Sequence, residues 1–590
     1  MSRTKNRGAS ERHVLTRRRL RACTVVVFIV FGLFGARLFQ IQGLDASAYA
    51  AQAVAQGTNH SVDPAPRGAI LDRNGAQLAT SVDGLVITAN PKMTTAKAPQ
   101  IARILREKLG DQIDYFDTID LLRKPGTEYV VLARNIPRWT ADKAITALGK
   151  AELVGVFTER ENIRTYPGGS LAANLLGYVD GSGKGVAGLE QQYDKALTGV
   201  DGKSTYEVSP TGQRIPMADS SITKMVPGKD VKTTIDRDLQ WYADQRLTDA
   251  VHESSSDWGL AITMDVKTCQ IVQMSQSPTF DADTRTGMDD SNTVSRAVQN
   301  VYEPGSVMKT VTMAALADQG KIAADTPISV PSSLTIDKFR IGDYWEHGRI
   351  NLTAAGVIAK SSNLGTIVAA QQMSDQTMYD YFSKFGFGRK TGVNLPGESN
   401  GILTDGKLWT KANHATIAFG QGVSVTAMQM IRAVGAIANA GTMCEPTVVS
   451  GTVGEDGKET PVATTPGHRV VSKDAAATVT RMMEAVTADD GTAPAAQIEG
   501  YRVAGKTGTA WRVDPATGRY IRGQNTVSFM GFAPADNPRF LTYIVLDKPY
   551  SNAGGGSTAA PVFHDIMSMA LERFGVAPSG SKSPKVEQTW

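Results

Sequence analysis

Hydrophobic and polar positions alternate in three different ways along the chain. Ala22 to Ala36 reads ACTVVVFIVFGLFGA, fifteen residues without a charge. As a helix this run covers about 22 Å, less than the roughly 30 Å of a hydrocarbon layer. Leu20 on one side and Leu38, Phe39 and Ile41 on the other lengthen it, and Arg21 and Arg37 can snorkel to the two interfaces. The pattern predicts one membrane-spanning helix over 22–42. From about 45 to 225 the apolar runs are short and broken by Gly and Pro. Ala69 to Gly75 predicts a strand entering a turn at Asn74-Gly75, and Leu189 to Leu197 predicts helix. From about 230 the patterning is cleaner. It predicts a helix from Thr234 to about His252, and a hairpin of Gly259 to Val266 with Gln270 to Ser275 around Lys267-Thr268. Helix follows over 307–319 and through much of 350–440. Strands are expected over Tyr501 to Ala510, Asn525 to Pro534 and Phe540 to Leu546. A body that opens with a hairpin, is helical in the middle and ends in strands implies one sheet built from both ends, with helices against it. No repeat of fixed period is present.

The length, 590 residues, implies three or four structural units at roughly 100–200 residues each. An apolar fraction of 41% with 20% charged residues excludes a disordered chain and a multi-span membrane protein. Of 62 basic and 58 acidic residues, eight basic and one acidic lie within 1–21; the rest holds 54 and 57, a net −3. A nucleic-acid surface on the main body is therefore not expected. The basic stretch before the apolar run should stay in the cytoplasm and place everything after about residue 43 outside. A cleaved signal with Ala46-Ser47-Ala48 as its small-residue site is the rival reading, disfavoured because the apolar run continues past Arg37. Cys23, Cys269 and Cys444 are far apart and odd in number, so no disulfide framework or zinc cluster is signalled. The histidines form no HExxH, and no metal or organic cofactor is implied.

Four local patterns could carry chemistry. Ser306-Val307-Met308-Lys309 follows Glu303-Pro304-Gly305 and leads into VTMAALAD, which places Ser306 near a helix start with Lys309 on the same face. A serine needs an adjacent base, and a lysine serves only if desolvation or a second cation lowers its pKa. Alone the spacing is weak: Ser2/Lys5, Ser221/Lys224 and Ser579/Lys582 share it, and a capping serine with a solvated lysine is the ordinary explanation. Lys506-Thr507-Gly508-Thr509 lies in a strand-like run, where alternation puts Lys506 with Gly508 and Thr507 with Thr509, and Gly508 clears space for a neighbour. The copy at Lys390-Thr391-Gly392 sits in a Gly/Pro-rich loop and is discounted. Gly500 to Thr507 also fits a phosphate-binding loop, with Leu541 to Asp547 as an acid-ended strand. Gly508, Thr509, Trp511, Val513 and Pro515 do not favour the helix that such a loop requires. Ser361-Ser362-Asn363 ends the helical pattern INLTAAGVIAK and by itself reads as a turn.

The ordered set is more specific than its members: S-x-x-K, then S-x-N 55 residues after Ser306, then K-T-G-T 200 residues after it. It resembles the penicillin-interacting serine transpeptidases. Arg67-Gly68-Ala69-Ile70-Leu71-Asp72-Arg73-Asn74-Gly75 and Gly188-Leu189-Glu190-Gln191-Gln192-Tyr193 are similar to motifs of class B penicillin-binding proteins, as are Phe419-Gly420-Gln421-Gly422 and Gly554-Gly555-Gly556. The resemblance covers the chain from the membrane segment to about 575 and is strongest to the division, FtsI-type members. It implies an α+β transpeptidase domain with a central antiparallel sheet flanked by helices, preceded by a mixed α/β pedestal and one transmembrane helix. The corresponding bounds are a cytoplasmic tail 1–21, an anchor 22–42, a pedestal 43–228, a transpeptidase domain 229–575 and a disordered tail 576–590.

The resemblance also implies roles. Ser306 attacks the bond between the two terminal D-alanines of a stem peptide and Lys309 takes its proton. Ser361 relays a proton to the leaving D-alanine with help from Lys506, and Asn363 holds the substrate amide. Lys506, Thr507 and Thr509 bind the terminal carboxylate beside Gly508, and the backbone N–H groups of Ser306 and Thr509 form the oxyanion hole. Arg67 and Glu190 are structural, at the junction of the two domains. The partners implied are peptidoglycan stem peptides, β-lactams, the lipid bilayer, and a SEDS-family glycan polymerase of the FtsW type with other division proteins. The place implied is the cell membrane at the septum, with an elongation role or a non-catalytic structural role as alternatives. The loop 511–524 is expected to set acceptor specificity.

Overall fold

The computed structural model describes residues 8–45, 47, 58–207, 220–514, 516–517, 519–550 and 553–590. They fall into two compact units, Met1–Ala65 with Val200–Val226, and Pro66–Gly199 with Pro227–Trp590.

In the first unit a helix runs from Gly8 to Phe39 and widens into a π turn over Gln40–Leu44. Within it Arg18–Leu44 is long and apolar enough to cross a membrane, with mean hydropathy 2.2 and no residue of its most apolar stretch buried against protein. Ala46 and Ala48 of the small-residue site lie outside the described residues. Thr58–Asp63, Gly202–Glu207 and Ser220–Thr223 form an antiparallel sheet.

Among the described residues the second unit holds two large sheets and three two-stranded ones. In the pedestal, Ile70–Leu71 turns at Gly75 and pairs with Gln77–Ala89, which is flanked by Val130–Pro137 and Val156–Thr165. The helix Ala98–Leu109 buries Ile101, Ala102, Leu105 and Leu109, one stripe at helical spacing, against Leu85, Ile87 and Val130. Asp230–Thr233 joins this sheet, and so do Val449–Val453 and Glu459–Pro461. All three lie past the expected boundary at 228. A strand edge needs backbone partners wherever the chain can supply them, and composition does not show which distant segment will.

The second sheet is the frame of the site. Its strands are β1 (Trp258–Asp265), β2 (Ile271–Ser277), β3 (Ala504–Val513), β4 (Tyr520–Ala533) and β5 (Phe540–Asp547), in the order β2-β1-β5-β4-β3, all antiparallel. The opening hairpin therefore meets the closing strands, as the order of elements implies. β2 and β5 are buried at every position, because helices cover both faces. The helices used below are α1 (Arg237–Glu253), α2 (Lys309–Asp318), α3 (Asn363–Ala370), α4 (Ala427–Ala438), α5 (Lys473–Thr487) and α6 (Ala560–Arg573). α1 and α6 pack on one face; α4 and α5 pack on the other. α4 is buried all round and opens with a capping box between Thr426 and Gln429, while Asp236 caps α1 and Ser472 caps α5.

Three further expectations are corrected. Cys269 and Cys444 form a disulfide, with Cα atoms 6.2 Å apart across 175 residues. The bonds Ile271 N to Thr447 O (2.8 Å) and Thr447 N to Cys269 O (3.0 Å) bring the two cysteines together, a pairing invisible in their spacing. The tail 576–590 is not disordered. Tyr501 donates its hydroxyl to Val576 O (2.6 Å), Thr353 N reaches Gln588 O (3.0 Å), and Leu352 bridges Thr589. The tail's backbone satisfies the free edge of Ile350–Thr353, and Gly356 leaves room for the Gln588 carbonyl. The segment 511–524 is mostly strand: β3 runs to Val513 and β4 starts at Tyr520, with Pro515 and Gly518 outside the described residues.

Candidate active site

Ser306 lies in a 3-10 turn, Gly305–Met308, that leads directly into α2. Gly305 has φ +54, and a Cβ there would sit 2.7 Å from the Thr509 carbonyl oxygen, so only glycine lets the turn lie this close to β3. Gly508 opens the same approach from the other side, where a Cβ would stand 3.0 Å from Val307 Cγ2. A side chain on Gly420 would strike the Gly305 carbonyl, and one on Gly555 would strike Ser528. The glycine motifs thus hold the nucleophile's turn, β3 and β4 in mutual contact.

Lys309 is the first residue of α2 and is 0% exposed. Its ammonium donates to Ser361 O (2.6 Å) and Asn363 Oδ1 (2.8 Å), and more weakly to Ser361 Oγ (3.5 Å). Among the described residues, the Ser306 hydroxyl is not one of its hydrogen-bond partners. Lys506, also 0% exposed, donates to Ser361 Oγ (2.8 Å), Thr507 O (2.9 Å) and Thr507 Oγ1 (3.2 Å). Ser361 therefore stands between two amines. It reaches them from a left-handed turn at φ +57, between the helix Ala354–Ala359 and α3, a conformation costly for a residue with a side chain. Ser362 caps α3 by accepting from Gly365 N (2.9 Å). Thr507 is nearly buried and touches Thr492 Oγ1 (3.2 Å), while Thr509 is exposed.

Burial has a predictable electrostatic effect here. Desolvation lowers the Lys309 pKa to about 7, opposed in part by the charge of Asp343. Lys506 is pushed well down, first by desolvation and then by Lys309. A neutral Lys309 amine has two hydrogens and one lone pair. Ser361 O and Asn363 Oδ1 occupy the hydrogens, which leaves the lone pair to accept a proton.

The phosphate-loop reading fails on geometry, since Lys506 and Thr507 are followed by more strand. In the second Lys-Thr-Gly, Thr391 is buried on Glu398 and serves a loop. Two features escaped the sequence. Glu303, whose pKa burial raises, accepts from Gly422 N (2.7 Å) and from Tyr520 OH (3.1 Å), which ties the β3–β4 arm to the residues before Ser306. Asp343 accepts from the Asn363 and Leu364 amides. No local signal marks either; both act through backbone groups remote in sequence. In the pedestal, Glu190 is fully buried between Arg67 (2.7 Å) and Arg164 (2.7 Å), with Asp194 also on Arg67 (2.7 Å).

The chain is similar to known proteins over nearly its whole length. The family model of the penicillin binding protein transpeptidase domain matches residues 259–568, and that of the penicillin-binding protein dimerisation domain matches 62–233. Penicillin-binding protein PbpB of Mycobacterium tuberculosis is 36% identical over 96% of this chain and 86% of its own. Peptidoglycan D,D-transpeptidase FtsI of Escherichia coli is 31% identical over 87% and 84%. The crystal structure of penicillin binding protein 3 from M. tuberculosis complexed with aztreonam superposes with a TM-score of 0.69 at 32% identity, covering 90% of this chain and 100% of that one. By sequence, by domain order and by fold, the chain belongs to the class B penicillin-binding proteins, with a dimerisation domain followed by a transpeptidase domain.

Proposed function

We propose that this chain is a serine-type peptidoglycan D,D-transpeptidase that cross-links stem peptides through an acyl-serine intermediate during septal wall synthesis. The observation that carries this reading is the meeting of Lys309, Lys506, Ser361 and Asn363 beside the Ser306 turn, with both amines buried. Ser306 Oγ attacks the carbonyl carbon between the two D-alanines, and its proton goes to the Lys309 lone pair. The oxyanion is held by the Ser306 and Thr509 amides. Ser361, polarised by Lys506, passes a proton to the departing D-alanine nitrogen as the C–N bond breaks. Asn363 orients the substrate amide, and Lys506, Thr507 and Thr509 hold the terminal carboxylate. The amine of a second stem peptide then attacks the ester carbonyl, gives up its proton, and frees Ser306. A β-lactam presents a strained amide to the same serine and leaves no departing group to make room for an acceptor.

The helix Arg18–Leu44 supports a single-pass anchor, with the basic N-terminus cytoplasmic and the catalytic domain outside. The pedestal would lift the site from the bilayer, Arg67 and Glu190 would fix the junction, and a SEDS-type glycan polymerase such as FtsW is the partner this placement suits. The relatives' names favour division: FtsI in E. coli, PbpB in M. tuberculosis. Incubation with a D-Ala-D-Ala stem peptide and an acceptor amine should release D-alanine and yield cross-linked dimer. Release without dimer would mark a carboxypeptidase. Depletion in cells should produce filaments; rounded cells would assign the chain to elongation.

A further inference from the structure

Beneath the Ser361–Asn363 turn lies a carboxylate that no motif includes. Asp343 sits between the short strands Phe339–Ile341 and Ile350–Thr353, and its side chain is 0% exposed. One oxygen accepts from the backbone amides of Asn363 and Leu364. The other accepts from Ser362 Oγ (2.7 Å) and faces His347 Nε2 (2.9 Å). A buried carboxylate taking this many donors is fixed in place, and three of them belong to the turn whose outer residues hold Lys309. His347 Nδ1 faces the Gly348 carbonyl (2.6 Å), so the ring is held between that carbonyl and Asp343.

The other charged groups on the helices around Lys309 are engaged elsewhere. Glu484 of α5 pairs with Arg502 (2.8 Å), Asp375 holds His414 (2.6 Å), and Arg432 of α4 donates to Cys444 O (3.3 Å). Lys506 and Asp343 remain as the charges that bear on Lys309.

We propose that Asp343 is a positioning residue for the acyl-serine chemistry: it anchors the Ser361–Asn363 turn against Lys309 and supplies the negative charge that bears on the buried Lys309 amine. This rests on the transpeptidase reading of the site. Asp343 touches no reacting atom. It sets where Ser361 and Asn363 stand, and it sets the acidity at which Lys309 becomes a base.

The test is the rate of Ser306 acylation by a fluorescent penicillin between pH 5 and 9, with the full chain in detergent, for wild type, Asp343→Asn and His347→Gln. Asp343→Asn should acylate about tenfold more slowly at the optimum. Its acid limb should move down by about one pH unit, because loss of the negative charge lowers the Lys309 pKa further. His347→Gln keeps a donor to the Asp343 carboxylate and leaves that carboxylate in place, so its limb should stay at the wild-type pH. A purely structural role would slow the reaction equally at every pH. Wild-type rates or an unmoved limb in Asp343→Asn overturn the proposal. If Asp343→Asn shows no cooperative melt, Asp343→Glu decides: it keeps the carboxylate but crowds the turn, so it should acylate more slowly on the wild-type limb, and wild-type rates or a moved limb overturn the proposal. Absence of labelling in the wild type would instead sink the transpeptidase reading itself.

Discussion

At the residue scale the account turns on one amine in the wrong environment for its charge. Lys309 is fully buried, and its pKa falls to about 7, chiefly through desolvation. Below that value the amine is protonated and cannot receive the Ser306 proton. Acylation should therefore fall about tenfold per pH unit below pH 7 and level off above it, as followed by stopped labelling at a fixed β-lactam concentration. The same burial has a stability consequence of definite sign. The unfolded chain holds its lysine proton up to about pH 10.4, so between there and about 7 it binds more protons than the folded chain. This group's contribution to stability is then greatest above its unfolded pKa and is lost as pH falls towards 7. Lys309→Met should flatten that part of the stability profile, measured by thermal melts, while abolishing acylation.

At the element scale, the site depends on pieces of chain held from outside their own segments. The Ser306 turn is pinned between β3 and the Gly420 turn by glycines whose absent side chains allow contact. The segment bearing Ser361 is held by the tail, through Thr353 N to Gln588 O (3.0 Å) and Thr353 Oγ1 to Glu587 O (2.7 Å). Deleting 576–590 should lower the Tm by several degrees and slow acylation without changing its pH limb; an unchanged melt would show the tail to be idle. The S-x-x-K, S-x-N and K-T-G-T residues were legible as an ordered set that resembles a known family, since each pattern alone has an ordinary structural explanation. The sheet was legible because its strands read as apolar runs. Asp343 was not, since its donors on the Ser362–Leu364 turn lie 19–21 residues on with no motif linking them, and the packed tail was not, since a polar Ser/Lys/Pro tail carries no sign of the edge it covers. Cys269 and Cys444 were misread for the same reason: their pairing depends on a backbone bridge at Thr447.

For the whole molecule, two long-range ties join parts that could otherwise move independently. Glu190 is buried between Arg67 and Arg164, and Tyr166, beside it, also hydrogen-bonds Asp283 of the catalytic domain through its backbone (2.8 Å). Glu190→Ala leaves the buried Arg164 guanidinium without its carboxylate and Arg67 with Asp194 alone, and should cost about 3–5 kcal/mol, read as a lowered urea midpoint. Glu190→Gln should cost less because it keeps the shape. The Cys269–Cys444 bridge fastens the β1–β2 turn to the segment that enters the pedestal sheet at Val449. Its reduction should cost about 2–4 kcal/mol, seen as a Tm lowered by reductant in the wild type and unaffected in Cys269→Ser.

All of this serves one claim, that Ser306 is the nucleophile of a slowly deacylating transpeptidase. Membranes carrying the wild type or Ser306→Ala, labelled with a fluorescent penicillin and resolved by denaturing gel, test it directly. A stable band near the 63.0 kDa of the full chain, absent from the folded Ser306→Ala protein, is the predicted result. A band that persists in Ser306→Ala, or none in the folded wild type, would contradict it.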